Sequence, residues 1–129
     1  MSPDGVAGRL LRALTGRDQF VVASMFDPDV RLVIDSGDEN AGRWEGRARI
    51  AGILLGRLAK QPDASLMVVH VNGGPGLALR RRDGAVLGVL VIGGRPRLGG
   101  GSETSVPIRE LYLTTAPHKL LSWNREPLG

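Results

Sequence analysis

The sequence predicts an α+β domain, with helices in the first half followed by an antiparallel meander of strands. Three observations carry this. Leucines recur at helical spacing near the N-terminus, and a second helical stripe runs through the middle of the chain. From Leu66 onward, β-branched apolar runs alternate with turns rich in glycine, proline and asparagine. The chain has 129 residues, 42% of them apolar and none of them cysteine. One hydrophobic core without disulfides must therefore hold a single domain, residues 1–129.

The elements follow in order. Leu10, Leu11 and Leu14 mark a first helix, with Ser2 or Asp4 available as N-cap, Pro3 tolerated in the first turn and Gly16 as the stop. Asp18 caps a short second helix over Gln19 to Met25, expected to bury Phe20 or Val21, with Val22 and Met25. Asp27-Pro28-Asp29 breaks it. A strand follows at 31–34, with Val30, Leu32 and Ile34 on one face. Residues 35–42 form a polar loop. A third helix runs from about Arg47 to Lys60, with Ile50, Ile53, Leu54 and Leu58 as its apolar stripe and Arg47, Arg49, Arg57 and Lys60 solvating the rest. Gly52 and Gly56 each weaken that helix by about 1 kcal/mol relative to Ala, a cost that close packing on a sheet would explain.

The second half is strand. Leu66 to Val71 is one, residues 72–76 a turn, and Leu77 to Arg82 the next. Asp83-Gly84 is read as the strongest hairpin signal. Val86 to Ile92 is a buried strand whose Gly88 marks a bulge or bend. A glycine-rich loop spans 93–105, and Ile108 to Thr114 is the last strand. Pro117 closes it, and His118 to Trp123 form a short tail within the segment 116–129.

Composition excludes several functions. The 17 basic residues against 13 acidic ones leave a net charge of +4. All the bases but Lys60 and Lys119 are arginine, which raises the isoelectric point without making a strongly basic patch. The five aromatics, Phe20, Phe26, Trp44, Tyr112 and Trp123, are too few for a base-stacking platform, so direct nucleic-acid binding is not expected. No apolar run approaches the roughly 20 residues that span a bilayer. The N-terminus lacks the apolar stretch of a signal peptide, so no membrane role is expected and the cytoplasm is the expected compartment. Two distant histidines without cysteine make no metal site, and no cofactor is expected. The glycine-rich loop lacks the Gly-Lys-[Ser/Thr] ending and the following helix of a phosphate-binding loop.

Three stretches carry a resemblance. Residues 26–32, Phe-Asp-Pro-Asp-Val-Arg-Leu, are followed by Asp35-Ser36-Gly37, and Ala116-Pro117-His118-Lys119-Leu120 comes after the last strand. In order and spacing they resemble the SnoaL-like domain found at the C-terminus of a class of extracytoplasmic-function sigma factors, within the nuclear transport factor 2-like superfamily. Ser36, Ala116 and His118 stand where that pattern has Gly, Asn and Asp. The resemblance covers roughly residues 8–123. It implies a cone-shaped, curved, mostly antiparallel sheet wrapped around the N-terminal helices, with a pocket between them. It also implies a small-molecule-binding or regulatory domain linked to sigma-factor-type transcription regulation. The helical sigma-factor domains have no room in 129 residues, so a sigma factor or RNA polymerase would act as a partner in trans. A homodimer through the sheet is expected.

The superfamily also contains isomerases and cyclases, which place ionisable groups with shifted pKa values in an apolar pocket. That alternative selects His70 and Asp35 as a general acid–base pair. His70 alternates with Leu66 and Val68, so it shares their face. Its plainer role is a core or outer-face histidine, and that of Asp35 is a loop residue. Trp44, Leu66, Val68, Leu90 and Tyr112 are the expected contacts of a small apolar or amphipathic ligand. Trp44 packs over the third helix or roofs the pocket. Tyr112 and Glu110 share a face opposite Leu111 and Leu113, which points them outward or into an interface. Arg31 is a candidate partner of Asp35 or of an acidic ligand, and its plainer role is on a solvated strand face. Pro117, His118, Lys119 and Leu120 are the expected partner-docking residues, with a plain C-terminal clamp as the other reading.

Overall fold

The computed structural model describes residues 5–39, 41–93 and 107–124. The glycine-rich loop, apart from Gly93, and the cap candidates Ser2 and Asp4 lie outside them. Helix α1 spans Gly5–Gly16 and buries Ala7, Leu10, Ala13 and Leu14, the face set by a 3.6-residue period. Arg17 reverses the chain with φ 57°. Asp18 then caps α2, Gln19–Ser24, accepting from the N–H groups of Phe20 at 2.9 Å and Val21 at 3.3 Å. That cap satisfies donors every helix start leaves open. Only Val22 of α2 is buried, and Phe20 is 88% exposed, against the expectation that Phe20 or Val21 would enter the core. A six-residue helix presents too narrow a face to bury both sides.

Strands β1 (Phe26–Asp35) and β2 (Gly42–Glu45) pair antiparallel. Asp27-Pro28-Asp29 lies within β1, which passes from Phe26 opposite Ile108 to Arg31 opposite Glu110 through a wide bulge. The proline lacks the ladder donor, and a bulge is where a strand tolerates that. Helix α3 spans Arg47–Ala59. Arg47 donates through Nε to the Phe26 carbonyl at 2.9 Å, so it anchors the helix start to the bulge and does more than solvate it.

Strands β3 (Ser65–Val71), β4 (Gly74–Arg80), β5 (Val86–Gly93) and β6 (Ile108–Thr114) form the meander. The β3–β4 hairpin turns on Asn72 and Gly73 alone, with φ 52° and 81°. Both central residues are left-handed, as in a type I′ turn, and Asn-Gly is its preferred pair. This turn is shorter than the five-residue one read from the sequence. Gly88 sits at a bulge as expected, because Leu79 pairs with Gly88 and Arg80 with Val86, leaving Leu87 extra.

The six strands form one curved sheet in the order β2-β1-β6-β5-β4-β3, antiparallel except for β1 with β6. The helices cover its inner face. Register places Ile34, Leu113, Leu90, Leu77 and Val68 in one cross-strand row on that face, and they join Leu10, Leu32 and Ile50 in the main core. A second, smaller cluster lies on the outer face. There Leu120, which follows a 3₁₀ turn (Pro117–Lys119), and Trp123 of α4 (Leu121–Asn124) pack with Ala78, Val86 and Val89. Among the described residues no helix is long and apolar enough to cross a membrane.

Candidate functional site

The inner face is not wholly filled. Where α1 ends and α3 runs past the sheet, a half-open cleft of about 790 Å³ remains, within the roughly 300–1,000 Å³ usual for small-molecule sites. Leu14, Leu66, Leu77, Leu79, Leu90 and Leu113 line its walls. Leu14 comes from the buried face of α1; strand alternation sends the other five inward, and the bulge at Gly88 leaves a strand position there without a side chain. A Cβ on Gly88 would meet Thr115 Cγ2 at 3.3 Å. Gly52 and Gly56 open the helical wall. A Cβ on Gly52 would meet only Gln19 Nε2, at 3.7 Å, and one on Gly56 nothing within 4 Å. Close packing on the sheet is therefore not why α3 carries them.

The mouth of the cleft is polar. Ser36 and Asp38 come from the loop after β1, Thr115 and Pro117 from the exit of β6, and Arg57, Lys60 and Gln61 from the end of α3. Asp38 is the one carboxylate among the lining residues, and it accepts the Ser36 hydroxyl at 2.6 Å.

Beside this mouth the two motif segments meet. Lys119 donates to Asp35 Oδ2, and the Asp35 carbonyl accepts from the N–H groups of Thr115 at 2.9 Å and Ala116 at 3.3 Å. The Lys119 hydrogen bond holds the Asp35 carboxyl below its usual range, against a partial desolvation. The Gly37 N–H and the neighbouring His118 add to the lowering. Asn124 completes the attachment of the tail. Its Oδ1 accepts from the Val86 N–H at 2.6 Å, and its Nδ2 donates to the Val86 carbonyl at 3.2 Å.

The structure does not bring His70 and Asp35 together. Asp35 shares its cross-strand row with Thr114, Val89, Ala78 and Met67, on the outer face. His70 shares the inner face with Leu66 and Val68 but is exposed, one pair from the Asn72-Gly73 turn. The two strands are four spacings apart across the sheet, about 19 Å along it. No acid–base pair forms, because the one-residue offset between their rows puts the groups on opposite sides. Asp35 is also occupied by Lys119, and it stays ionised.

Of the expected ligand contacts, Leu66 and Leu90 line the cleft. Val68 packs into the main core beside it. Trp44 packs on that core too, its ring folded over Gly42, where a Cβ would come within 3.1 Å of it. It does not roof the cleft. Tyr112 points away from the cleft, 43% exposed on the outer face. Its hydroxyl donates to Glu110 Oε2 at 3.0 Å, and Arg31 reaches Glu110 Oε1 at 3.5 Å. Arg31 therefore pairs with Glu110 and not with Asp35. Hydrogen bonding to Glu110, then desolvation, hold the Tyr112 phenol above its usual pKa.

Of the docking residues, Leu120 is buried against the chain's own sheet and Lys119 is engaged by Asp35, while Pro117 and His118 are exposed. Sequence reasoning passed over Arg57, Lys60 and Thr115 as site residues. The only signal was that Arg57 and Lys60 stand on the turn that follows the two small residues Gly52 and Gly56. Among the described residues no cluster of three His, Cys, Asp or Glu side chains converges on a metal position.

No family model and no curated protein matches the chain. Solved structures do. A cystatin-like-fold protein from Silicibacter pomeroyi DSS-3 is 18% identical with a TM-score of 0.58, covering 95% of this chain and 82% of its own. A putative isomerase of the SnoaL-like family from Agrobacterium tumefaciens str. C58 is 17% identical with a TM-score of 0.54, covering 84% and 92%. An NTF2-type chain with a long sheet is 16% identical with a TM-score of 0.57, covering 84% and 95%. At these identities the likeness establishes the fold, a SnoaL-like and NTF2-like α+β cone, and nothing finer.

Proposed function

We propose that this chain is a small-molecule-binding domain whose leucine-lined cleft holds an apolar or amphipathic ligand without acid–base catalysis. The observation that carries the reading is the cleft itself. It combines apolar walls, a polar mouth and a volume of about 790 Å³, the combination that marks small-molecule sites. The separation of His70 from Asp35 weighs against the isomerase-type alternative.

Native mass spectrometry of the purified protein, compared with its denatured spectrum, tests this. A reproducible retained mass that disappears in Gly56→Leu is the expected result, since Gly56 lines the cleft and a side chain there has open space to occupy. A retained mass indifferent to Gly56→Leu overturns the assignment to this cleft.

A regulatory role linked to sigma-factor-type transcription is the finer part of the proposal. Its support is that the Asp35-Ser36-Gly37 loop and the segment 116–120 form one surface at the mouth, which a ligand in the cleft would adjoin. Gly37, Pro117, His118 and Lys119 are its exposed members, and of these Lys119 is engaged by Asp35. Co-purification with a sigma factor or RNA polymerase, lost in His118→Glu, is the expected outcome. A homodimer belongs to the same proposal, supported by exposed Tyr112 beside Val33 on the outer face.

A further inference from the structure

The cleft is asymmetric in charge. Its walls are leucine, but one side of its mouth, the last turn of α3 and the residue after it, carries Arg57 and Lys60. Neither side chain has a hydrogen-bond or ion-pair partner among the described residues. Arg57 is only partly exposed. The one carboxylate lining the cleft, Asp38, belongs to the loop after β1 and already accepts from Ser36. Three cations elsewhere on the described surface are engaged by carboxylates. Arg31 pairs with Glu110, Arg81 with Asp83 and Lys119 with Asp35. Arg57 and Lys60 face the apolar cavity instead.

We propose that the cleft takes an amphipathic anion, an apolar chain or ring system ending in one carboxylate, whose head is held by Arg57 and Lys60. This rests on reading the cleft as a small-molecule site and adds the chemical class of its ligand. The apolar body buries against the leucines, and removing its surface from water favours binding. The head group stays at the mouth. The planar Arg57 guanidinium can meet a carboxylate with two parallel hydrogen bonds, and Lys60 adds a point charge. A neutral ligand of the same length would bury the same chain and gain neither contact. The plain alternative is that the two cations only complement the negative end of the α3 dipole, in which case they have no effect on binding.

Decanoate and 1-decanol, each titrated calorimetrically below the concentration at which it self-associates, separate these cases. The expected result is that decanoate binds at least tenfold more tightly than decanol, with an affinity that falls as salt is raised. In R57Q/K60Q, decanoate is expected to weaken to the level of decanol while decanol is unchanged. Both side chains stand at the surface end of α3, and an unaltered thermal midpoint confirms the fold. Equal affinity for the two ligands, indifferent to the double substitution, overturns the anion inference and leaves the apolar cleft standing. Binding of neither ligand, or binding of both that Gly56→Leu does not reduce, overturns the cleft reading and this inference with it.

Discussion

Lys119 donates to the carboxylate of Asp35, an ion pair that spans 84 positions of the chain and joins the end of β1 to the segment after β6. The contact turns two separate sequence motifs into one structural unit. It also removes Asp35 from any role as a free base.

The pair predicts a pH dependence. A carboxyl whose folded pKa lies below its unfolded value stabilises the fold above the unfolded pKa, and that contribution is lost as pH falls through the folded value. Asp35 is lowered by Lys119, and Asp83 by its hydrogen bond from Arg81. Stability is therefore expected to drop as the protein is acidified below about pH 4. Urea unfolding at several pH values should show Asp35→Asn less stable than the parent at neutral pH, with a shallower acid limb. Parallel curves for the two proteins would mean that the pair contributes nothing in solution.

The second prediction separates two glycines. Gly56 has open space where a Cβ would go, while a Cβ on Gly76 would lie 2.8 Å from the Leu90 carbonyl oxygen on the neighbouring strand. Gly56→Ala is expected to raise stability by roughly 0.5–1 kcal/mol through helix propensity alone. Gly76→Ala is expected to lower it by about 1–3 kcal/mol, because the backbone oxygen cannot move aside without parting β4 from β5. Denaturant midpoints for both variants decide the matter, and opposite signs are required.

The tail is predicted to be part of the fold. Leu120 is 3% exposed within the small outer cluster, so Leu120→Ala should cost about 2–3 kcal/mol, the lower part of the range for core truncations. Asn124→Ala leaves the Val86 N–H and carbonyl without their side-chain partner. It should cost about 1–2 kcal/mol and speed hydrogen exchange at the Val86 amide. If that amide exchanges at an unchanged rate, the tail is not clamped there.

Phe20 supplies a control. It projects from α2 and is 88% exposed, so Phe20→Ser should leave stability within about 0.5 kcal/mol of the parent. A loss of 2 kcal/mol or more, the scale of about one buried side chain, would place the ring in the core after all.

Much of this architecture was legible in the residues. The spacing of Leu10 and Leu14 located α1, Asp18 capped α2 as read, and Ile108 to Thr114 is β6 to the residue. Alternation put Leu66 on one face with Val68 and His70, and Leu66 lines the cleft. Other features were hidden. Strand β2 is four residues long and carries one large apolar side chain, Trp44, too little for a periodic signal. The turn at Asn72-Gly73 was masked by the glycines and proline after it, which read as more turn but pair as strand.

Local periodicity by itself determined which segments are helix or strand and which side chains share a face, because those patterns depend only on neighbours a few positions away. It determined that Leu66, Val68 and His70 look one way. Only the tertiary structure decided which part of that face is covered by helices, so that Leu66 meets the cleft and His70 meets solvent. It also decided that Asp35 faces outward toward Lys119. Both outcomes rest on the pairing of β1 with β6 and on the register carried across four strand boundaries. These are contacts between residues far apart in the chain, and a one-residue shift in them would exchange every inside group for an outside one.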